Sequence, residues 1–332
     1  VYAQVIDYAG NASALGEDVV IVDDTDPQGT SITALRGPAA TEDGYTNQPL
    51  VVLNVTADPE PDGGHVEVRL ANQQSVLSQT TYQSALPTIS WLLDTGSDGT
   101  KTVYAQFRDT ALNDNRFSQS TIIYDSTPPS PVSASINATA TGDAGVVVHV
   151  ASSATDLSAT EAITISESPG FADVTTVGPR PMPAGGDVNF TLQRTDGVHT
   201  VYVRFKDKAG NTSLATTQVT FDGAPPSPPV FALTATGSNG TTRFTRFNNG
   251  LTLPFTLSGI DALSGVAQMR LSTSSAVDAS GRLTTGTTFA YATSGSLTWT
   301  GAQGPVTVYA QLIDAAGNVS GLSSDTIVVD TV

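Results

Sequence analysis

Apolar and polar residues alternate along most of this chain, in short runs separated by turn residues. In "VYAQFRD", which starts at Val103, the residues Val103, Ala105 and Phe107 fall on one face and Tyr104, Gln106 and Arg108 on the other. That is the period of a half-buried β-strand. Nearly the same phrase starts at Val1, Val201 and Val308, at offsets of 102, 98 and 107 residues. Each copy runs into "DYAGN", "DTALN", "DKAGN" or "DAAGN". There Asp and Asn can bond local backbone while Gly supplies a positive φ. A second alternating run follows and closes on another Asp, giving the pairs Asp7 and Asp23, Asp109 and Asp125, Asp207 and Asp222, and Asp314 and Asp330. A break comes next: "DDTDP", "DSTPP", "DGAPP" and, at the end, "DTV".

Upstream of each complete copy the pattern predicts further strands at matching places. "QPLVVLNVTA", "GVVVHVASSA" and "LTLPFTLSGI" form one set, and "HVEVRLA", "EAITIS" and "VAQMRLS" another. An aromatic residue precedes each copy: Trp91, Phe190, Trp299. No stretch has helical periodicity. About seven short strands per hundred residues, with turn signals between them, predict an immunoglobulin-like β-sandwich. The recurring phrase then falls on strand F and the Asp-terminated run on strand G.

The expected fold class is all-β: tandem immunoglobulin-like sandwiches in an elongated rod, with a partial F–G hairpin module at the N-terminus. The expected modules are 1–24 (partial), 25–125, 126–222 and 223–330. Proline-rich joints favour stiff connections, and three modules of this strand length would reach on the order of 100 Å. Two accounts fit the partial module. Either the sequence is a window on a longer repeat array, or the hairpin is completed by strands of a neighbouring subunit. In the first complete module Leu112 stands where the others have a turn glycine, and "DNRF" follows, which predicts a longer, differently shaped F–G turn.

The combination of "DGTKTVYAQFRD", "AGNxS" and a closing "DSTPP" resembles the tandem Ig-like repeats of very large bacterial surface, adhesin and filament proteins. The likeness covers essentially the whole chain. It implies an extracellular, cell-surface structural protein, part of a stalk, fibre or filament, with self-association or other surface-layer components as partners. An adhesin or carbohydrate-binding module is the alternative. Its candidate segment is "NGTTRFTRFNNG" at 239–250, with Arg243, Phe244, Arg246 and Phe247, which otherwise reads as a solvated A–B hairpin.

Composition changes the picture in three ways. Asp and Glu outnumber Lys and Arg by 31 to 14, for a net charge of −17, which argues against nucleic acid as a partner. There is no cysteine, so thiolate metal sites and a cysteine nucleophile are excluded. No apolar run is long enough to span a membrane as a helix. Catalysis is not expected. His65, His149 and His199 occupy unrelated positions and read as ordinary surface histidines, and no catalytic motif occurs. Asn-x-Ser/Thr triplets at Asn11, Asn54, Asn137, Asn189, Asn211, Asn239 and Asn318 arise readily in so Asn-, Ser- and Thr-rich a chain.

The carboxylates carry the main candidate chemistry. In this sandwich the module entrance, the B–C loop and the F–G turn share one end. The first module offers Asp23, Asp24, Asp26, Asp58, Glu60, Asp62 and Asp109 there, the second Asp125, Asp156 and Asp207 with Asn211, and the third Asp222, Asp261 and Asp314 with Asn318. Calcium takes six to eight oxygen ligands, so calcium at each joint is one reading. Turn capping by the same Asp side chains is the other. Acids are most numerous at the first joint and fewest at "DGAPP". Tyr2, Tyr104, Tyr202 and Tyr309 face away from the core by alternation and either cover their own sheet or make lateral contacts.

Overall fold

The computed structural model describes residues 1–60, 63–115, 117–142, 147–183, 185–235, 237–239, 242–246, 252–301 and 303–330. Among these the chain is strand and turn throughout, apart from the single helical turn Gln74–Leu77. No helix among the described residues is long and apolar enough to cross a membrane. The chain divides into two compact units. One comprises Val1–Ser130 with Ala154–Glu161 and Phe205–Ser213, and the other Pro131–Ser153, Ala162–Arg204 and Leu214–Val332.

In the first unit a three-stranded sheet takes the order Ser31–Ala34, Leu50–Thr56, Thr88–Leu92. A five-stranded sheet takes the order Tyr45–Thr46, Ser118–Tyr124, Gly99–Arg108, Glu67–Ala71, Gln83–Ser84. Period-two patterning decides which faces meet. Val51, Leu53 and Val55 from one sheet and Val68, Val103, Ala105, Phe107 and Ile122 from the other all belong to one buried core. Tyr104 lies half-buried on the opposite face of its strand. The recurring phrase therefore lies on the strand between Ser118–Tyr124 and Glu67–Ala71, the position expected of strand F.

The second unit holds two further sheet pairs for the greater part. One is a three-stranded sheet (Val132–Ile136, Val147–Ala154, Asp187–Thr191) with a five-stranded sheet centred on Thr212–Phe221 and Gly197–Asp207. The other joins Val230–Leu233, Thr252–Ser258 and Ser294–Thr298 in three strands, and six strands in the second sheet. The extra strand of that six-stranded sheet corrects one expectation. Gly237–Asn239 and Thr242–Arg246 form a hairpin whose second strand pairs in parallel with Ser323–Asp330, with Phe244 opposite Val328. The expected hairpin forms, but it is part of the sheet rather than solvated, with Thr245 2% exposed. Arg243 is held there by Asp325 and by the Leu233 carbonyl at 2.8 Å. Phe247 and residues 248–250 lie outside the described residues.

At the N-terminus Tyr2–Ala3 and Gly16–Glu17 pair as a two-stranded sheet. Its apolar positions differ sharply from their counterparts. Val1 is 80% exposed and Val5 73%, whereas Val103 and Phe107 are 0%.

Candidate metal centres

Each copy of the repeated phrase leads into an Asp whose turn is closed by the Asn four residues on. The geometry of this Asp–Asn turn is local and is seen first in the exposed hairpin. There Asp7 Oδ1 accepts from the Ala9 and Asn11 amides at 2.9 Å, and Asn11 Nδ2 donates to Oδ2 at 2.9 Å. Asp207 with Asn211, and Asp314 with Asn318, repeat it at 2.8–2.9 Å. A positive φ is needed one residue before the Asn, and Gly10, Gly210 and Gly317 supply it at 84°, 100° and 93°.

The first complete module does not depart as expected. Leu112 adopts the same left-handed conformation, φ 73°. Asn113 makes the same bonds to Asp109, at 2.9 and 2.8 Å. The two carboxylate bonds offset the steric cost of a Cβ at positive φ, so the turn keeps its shape without glycine.

In all three later copies the Asn amide does a second job, reaching back to the preceding linker. Asn113 Nδ2 donates to the Asp23 carbonyl at 3.1 Å, Asn211 Nδ2 to the Asp125 carbonyl at 2.8 Å and Asn318 Nδ2 to the Asp222 carbonyl at 2.8 Å. This brings the linker Asp beside the strand-end Asp, and a loop acid completes each group. Asp23 with Glu60 and Asp109, Asp125 with Asp156 and Asp207, and Asp222 with Asp261 and Asp314 each have carboxylate oxygens within 4.8 Å of one another. Serine amides stitch the loop acid to the linker acid. The Ser158 amide donates to Asp125 at 3.1 Å and to Asp156 at 2.9 Å, and the Ser264 amide to Asp222 at 3.1 Å and to Asp261 at 3.0 Å.

Of the remaining predicted ligands, Asp24, Asp26 and Asp58 are exposed and are not among the three converging acids of the first cluster. Asp62 lies outside the described residues. Asn113 was absent from the predicted set, although its Asp-plus-four spacing is the one that marks Asn211 and Asn318. Among the described residues no cation pairs with the six acids of the second and third clusters.

Electrostatics separates the second and third clusters from ordinary capped turns. Asp125, Asp207, Asp222 and Asp314 are at most 3% exposed. Burial raises the Asp207 carboxyl above its ordinary range against the pull of the Asn211 and Gly210 donors, and the Asp125 charge adds to the rise. Asp314 is raised in the same way, with Asp222 and Asp261 contributing. Asp156 is pushed up to about 6, first by burial and then by Asp125, whose carboxyl lies within hydrogen-bonding reach. Asp109 differs. Burial raises it, but Asn113 and the turn amides outweigh burial and leave it below the usual range.

An all-oxygen set of three converging carboxylates is the donor chemistry of a hard divalent cation. Beside the third cluster the Ser264 hydroxyl is buried without a partner. The residues present therefore fit calcium.

The tyrosines Tyr104, Tyr202 and Tyr309 are half-buried and Tyr2 is exposed. His65 and His149 lie exposed, as expected of surface residues. His199 does not. Its side chain is 9% exposed and pairs with Glu167, because the neighbouring Glu167 turns inward to bond the Gln193 amide at 2.8 Å.

Residues 228–331 match the family model of a bacterial Ig-like domain. No curated protein sequence matches the chain at a significant level. Similar solved structures include a Ca2+-stabilised adhesin of an Antarctic bacterium that binds ice, at 19% identity and TM-score 0.35, covering 99% of this chain and 81% of that one. An Escherichia coli adhesin is 14% identical with TM-score 0.35, over 91% of this chain and 96% of its own. A tetra-tandem repeat from the extending region of a large adhesion protein is 21% identical with TM-score 0.27, over 91% and 74%. None is similar enough to carry a ligand or a role to this chain.

Proposed function

We propose that these bacterial Ig-like repeats form a stalk segment of an extracellular surface protein, with calcium at each acidic cluster fixing the joint it occupies. The observation that carries this reading is the threefold recurrence of one arrangement. Each cluster draws its acids from a linker, a loop and a strand end, and an Asn ties the linker backbone to the strand-end carboxylate. A cation shared by those three segments holds them together and cancels the repulsion among the acids. A spacer needs that property, since its task is to hold a fixed distance and direction between what it joins.

Calcium suits the donor set better than magnesium. The carboxylates come from three separate segments, a linker, a loop and a strand end, and calcium tolerates irregular oxygen shells that the smaller, octahedral magnesium does not.

The test is calorimetric titration of calcium into chelator-treated protein, followed by thermal unfolding and solution scattering with and without calcium. Three equivalents are expected, with calcium at a hundredfold its dissociation constant adding about 2.7 kcal/mol per site. The scattering should report narrower joint motion. Identical melting and scattering profiles in chelator and in calcium would remove the proposal.

A further inference from the structure

The first unit carries an open groove of about 740 Å³ between the turn that follows Glu67–Ala71 and the strand Gly99–Arg108. Ligand sites of small molecules fall in this size range. Its lining is polar and unusually uncommitted. Gln73, Gln74 and Ser75 on the turn, and Thr102 and Tyr104 on the strand, line it. Among the described residues their side chains make no hydrogen bond within the chain. A pair of carboxamides, two hydroxyls and a phenol offer donors and acceptors in nearly equal number.

The groove is held in shape from below. Trp91 Nε1 donates to Asn72 Oδ1 at 2.7 Å, and Asn72 Nδ2 donates to the Leu92 carbonyl at 3.0 Å. Leu77 is 4% exposed and anchors the helical turn that carries Gln74 and Ser75. The edge-to-face contact with Phe117, ring centroids 6.4 Å apart, fixes the Tyr104 ring. The unbonded groups therefore sit on a rigid frame, which lowers the entropy lost when a ligand binds.

The corresponding place in the next repeat is closed. Glu167 follows its strand as Asn72 does, and His199 and Gln193 occupy the positions of Lys101 and Asp94. There Glu167 binds both the His199 ring and the Gln193 amide, with side-chain exposures of 8% for Glu167 and 9% for His199. The groove is thus particular to the first complete repeat of these two, although the tyrosine recurs as Tyr202.

Charge and polarity select the ligand class. Lys101 and Asp94 both line the groove, and their charges oppose each other, so neither an anionic nor a cationic polymer is favoured. The lining is more polar than apolar and the groove is open, which disfavours a lipid chain. Vicinal hydroxyls match paired carboxamide and hydroxyl groups, and a tyrosine ring offers an apolar face with a polar edge.

We propose that this groove binds a neutral carbohydrate, with a sugar face resting on Tyr104 and ring hydroxyls bonded by Gln73, Gln74 and Ser75. The proposal does not depend on the cation clusters. Saturation-transfer NMR on the full chain, with maltotetraose, cellotetraose, mannotetraose and chitotetraose as neutral probes and a heparin tetrasaccharide as the anionic one, tests it. At least one neutral probe should bind. The double change Gln73→Ala with Gln74→Ala, and separately Tyr104→Ala, should each weaken that binding at least about tenfold, or 1.4 kcal/mol. Tyr202→Ala should leave it unchanged. If Tyr104→Ala fails to fold, the double change on the exposed turn decides alone. Absence of transfer from every neutral probe at millimolar concentration, binding of heparin alone, or binding that survives the double change would overturn the proposal.

Discussion

Replacing Asp156 by Asn separates repulsion among the acids from their use as ligands. Asp156 Oδ1 accepts from the Ser158 amide and hydroxyl, both at 2.9 Å, and the Asn carbonyl keeps both bonds. The other end of the side chain faces Asp125, where an Asn amide donates to a carboxylate instead of opposing it. In the folded chain the Asp156 carboxyl is pushed from 3.8 to about 6, so it binds its proton more tightly folded than unfolded. Its destabilising effect is absent below pH 4 and complete above pH 6. The full shift corresponds to an upper bound of about 3 kcal/mol, and partial solvent access reduces it to about 1–2 kcal/mol. In chelator at pH 7, Asp156→Asn should therefore raise the unfolding free energy by about 1–2 kcal/mol. Between pH 7 and 5 the wild type should gain stability that the variant does not. In calcium the order should reverse, because the variant has lost one anionic ligand. Scanning calorimetry at both pH values, with and without calcium, reads all four states. A variant that melts at or below the wild type in chelator and keeps the full calcium response would refute the reasoning.

Three other changes probe the turn geometry. Gly210 sits at φ 100°, and a Cβ there would meet the Ala39 carbonyl oxygen at 2.2 Å; Gly210→Ala should cost about 2–4 kcal/mol in thermal unfolding. Leu112 holds φ 73° without being glycine, so Leu112→Gly should stabilise by about 0.5–1 kcal/mol, the relief of strain less the added chain entropy. Asn318→Ala removes the bonds to the Asp222 carbonyl at 2.8 Å and to Asp314 at 2.9 Å. It should cost about 2–3 kcal/mol in chelator by denaturant unfolding, and an unchanged midpoint would show that the Asn does not clamp the linker.

Strand order was legible because alternation and repetition reinforce each other. Val103, Ala105 and Phe107 had to share a face, and four spaced copies marked the same hairpin each time. What stayed hidden depends on contacts between distant segments. The strands Gly237–Asn239 and Thr242–Arg246 read as a solvated A–B hairpin until the pairing with Ser323–Asp330 is seen, a parallel contact with no local signature. His199 resembles any strand-edge histidine until Glu167 turns toward it. The acids followed the same rule. Their module ends could be named from turn positions, yet only geometry separates Asp23 and Glu60 from Asp24, Asp26 and Asp58. The glycine rule failed at Leu112 because it counted the cost of a Cβ at positive φ without the carboxylate bonds that outweigh it.

Three of the four copies of the Asp–Asn turn, at Asp7, Asp207 and Asp314, form a series that contrasts capping with crowding of acids; Asp109, buried beside Asp23 and Glu60 but still below the usual range, falls with the capped turn. In Asp7 the turn stands exposed, and its Asn11 and backbone donors hold the carboxyl below the usual range. That is what capping alone does to an aspartate. Asp207 and Asp314 share with Asp7 the two bonds from the Asn four residues on, yet both are raised. What changed is burial and the arrival of two further acids, one from the linker and one from a loop. A fold that needed only capped turns would gain by leaving those acids in water, since bringing like charges together in a buried place costs free energy. Here the Asn amide and the serine amides hold the linker and loop acids in place against that repulsion. A proton relieves the cluster only near pH 6 and below, whereas a divalent cation relieves it at neutral pH and draws strength from all three carboxylates at once. Under the proposed function, joint rigidity would then follow the calcium concentration.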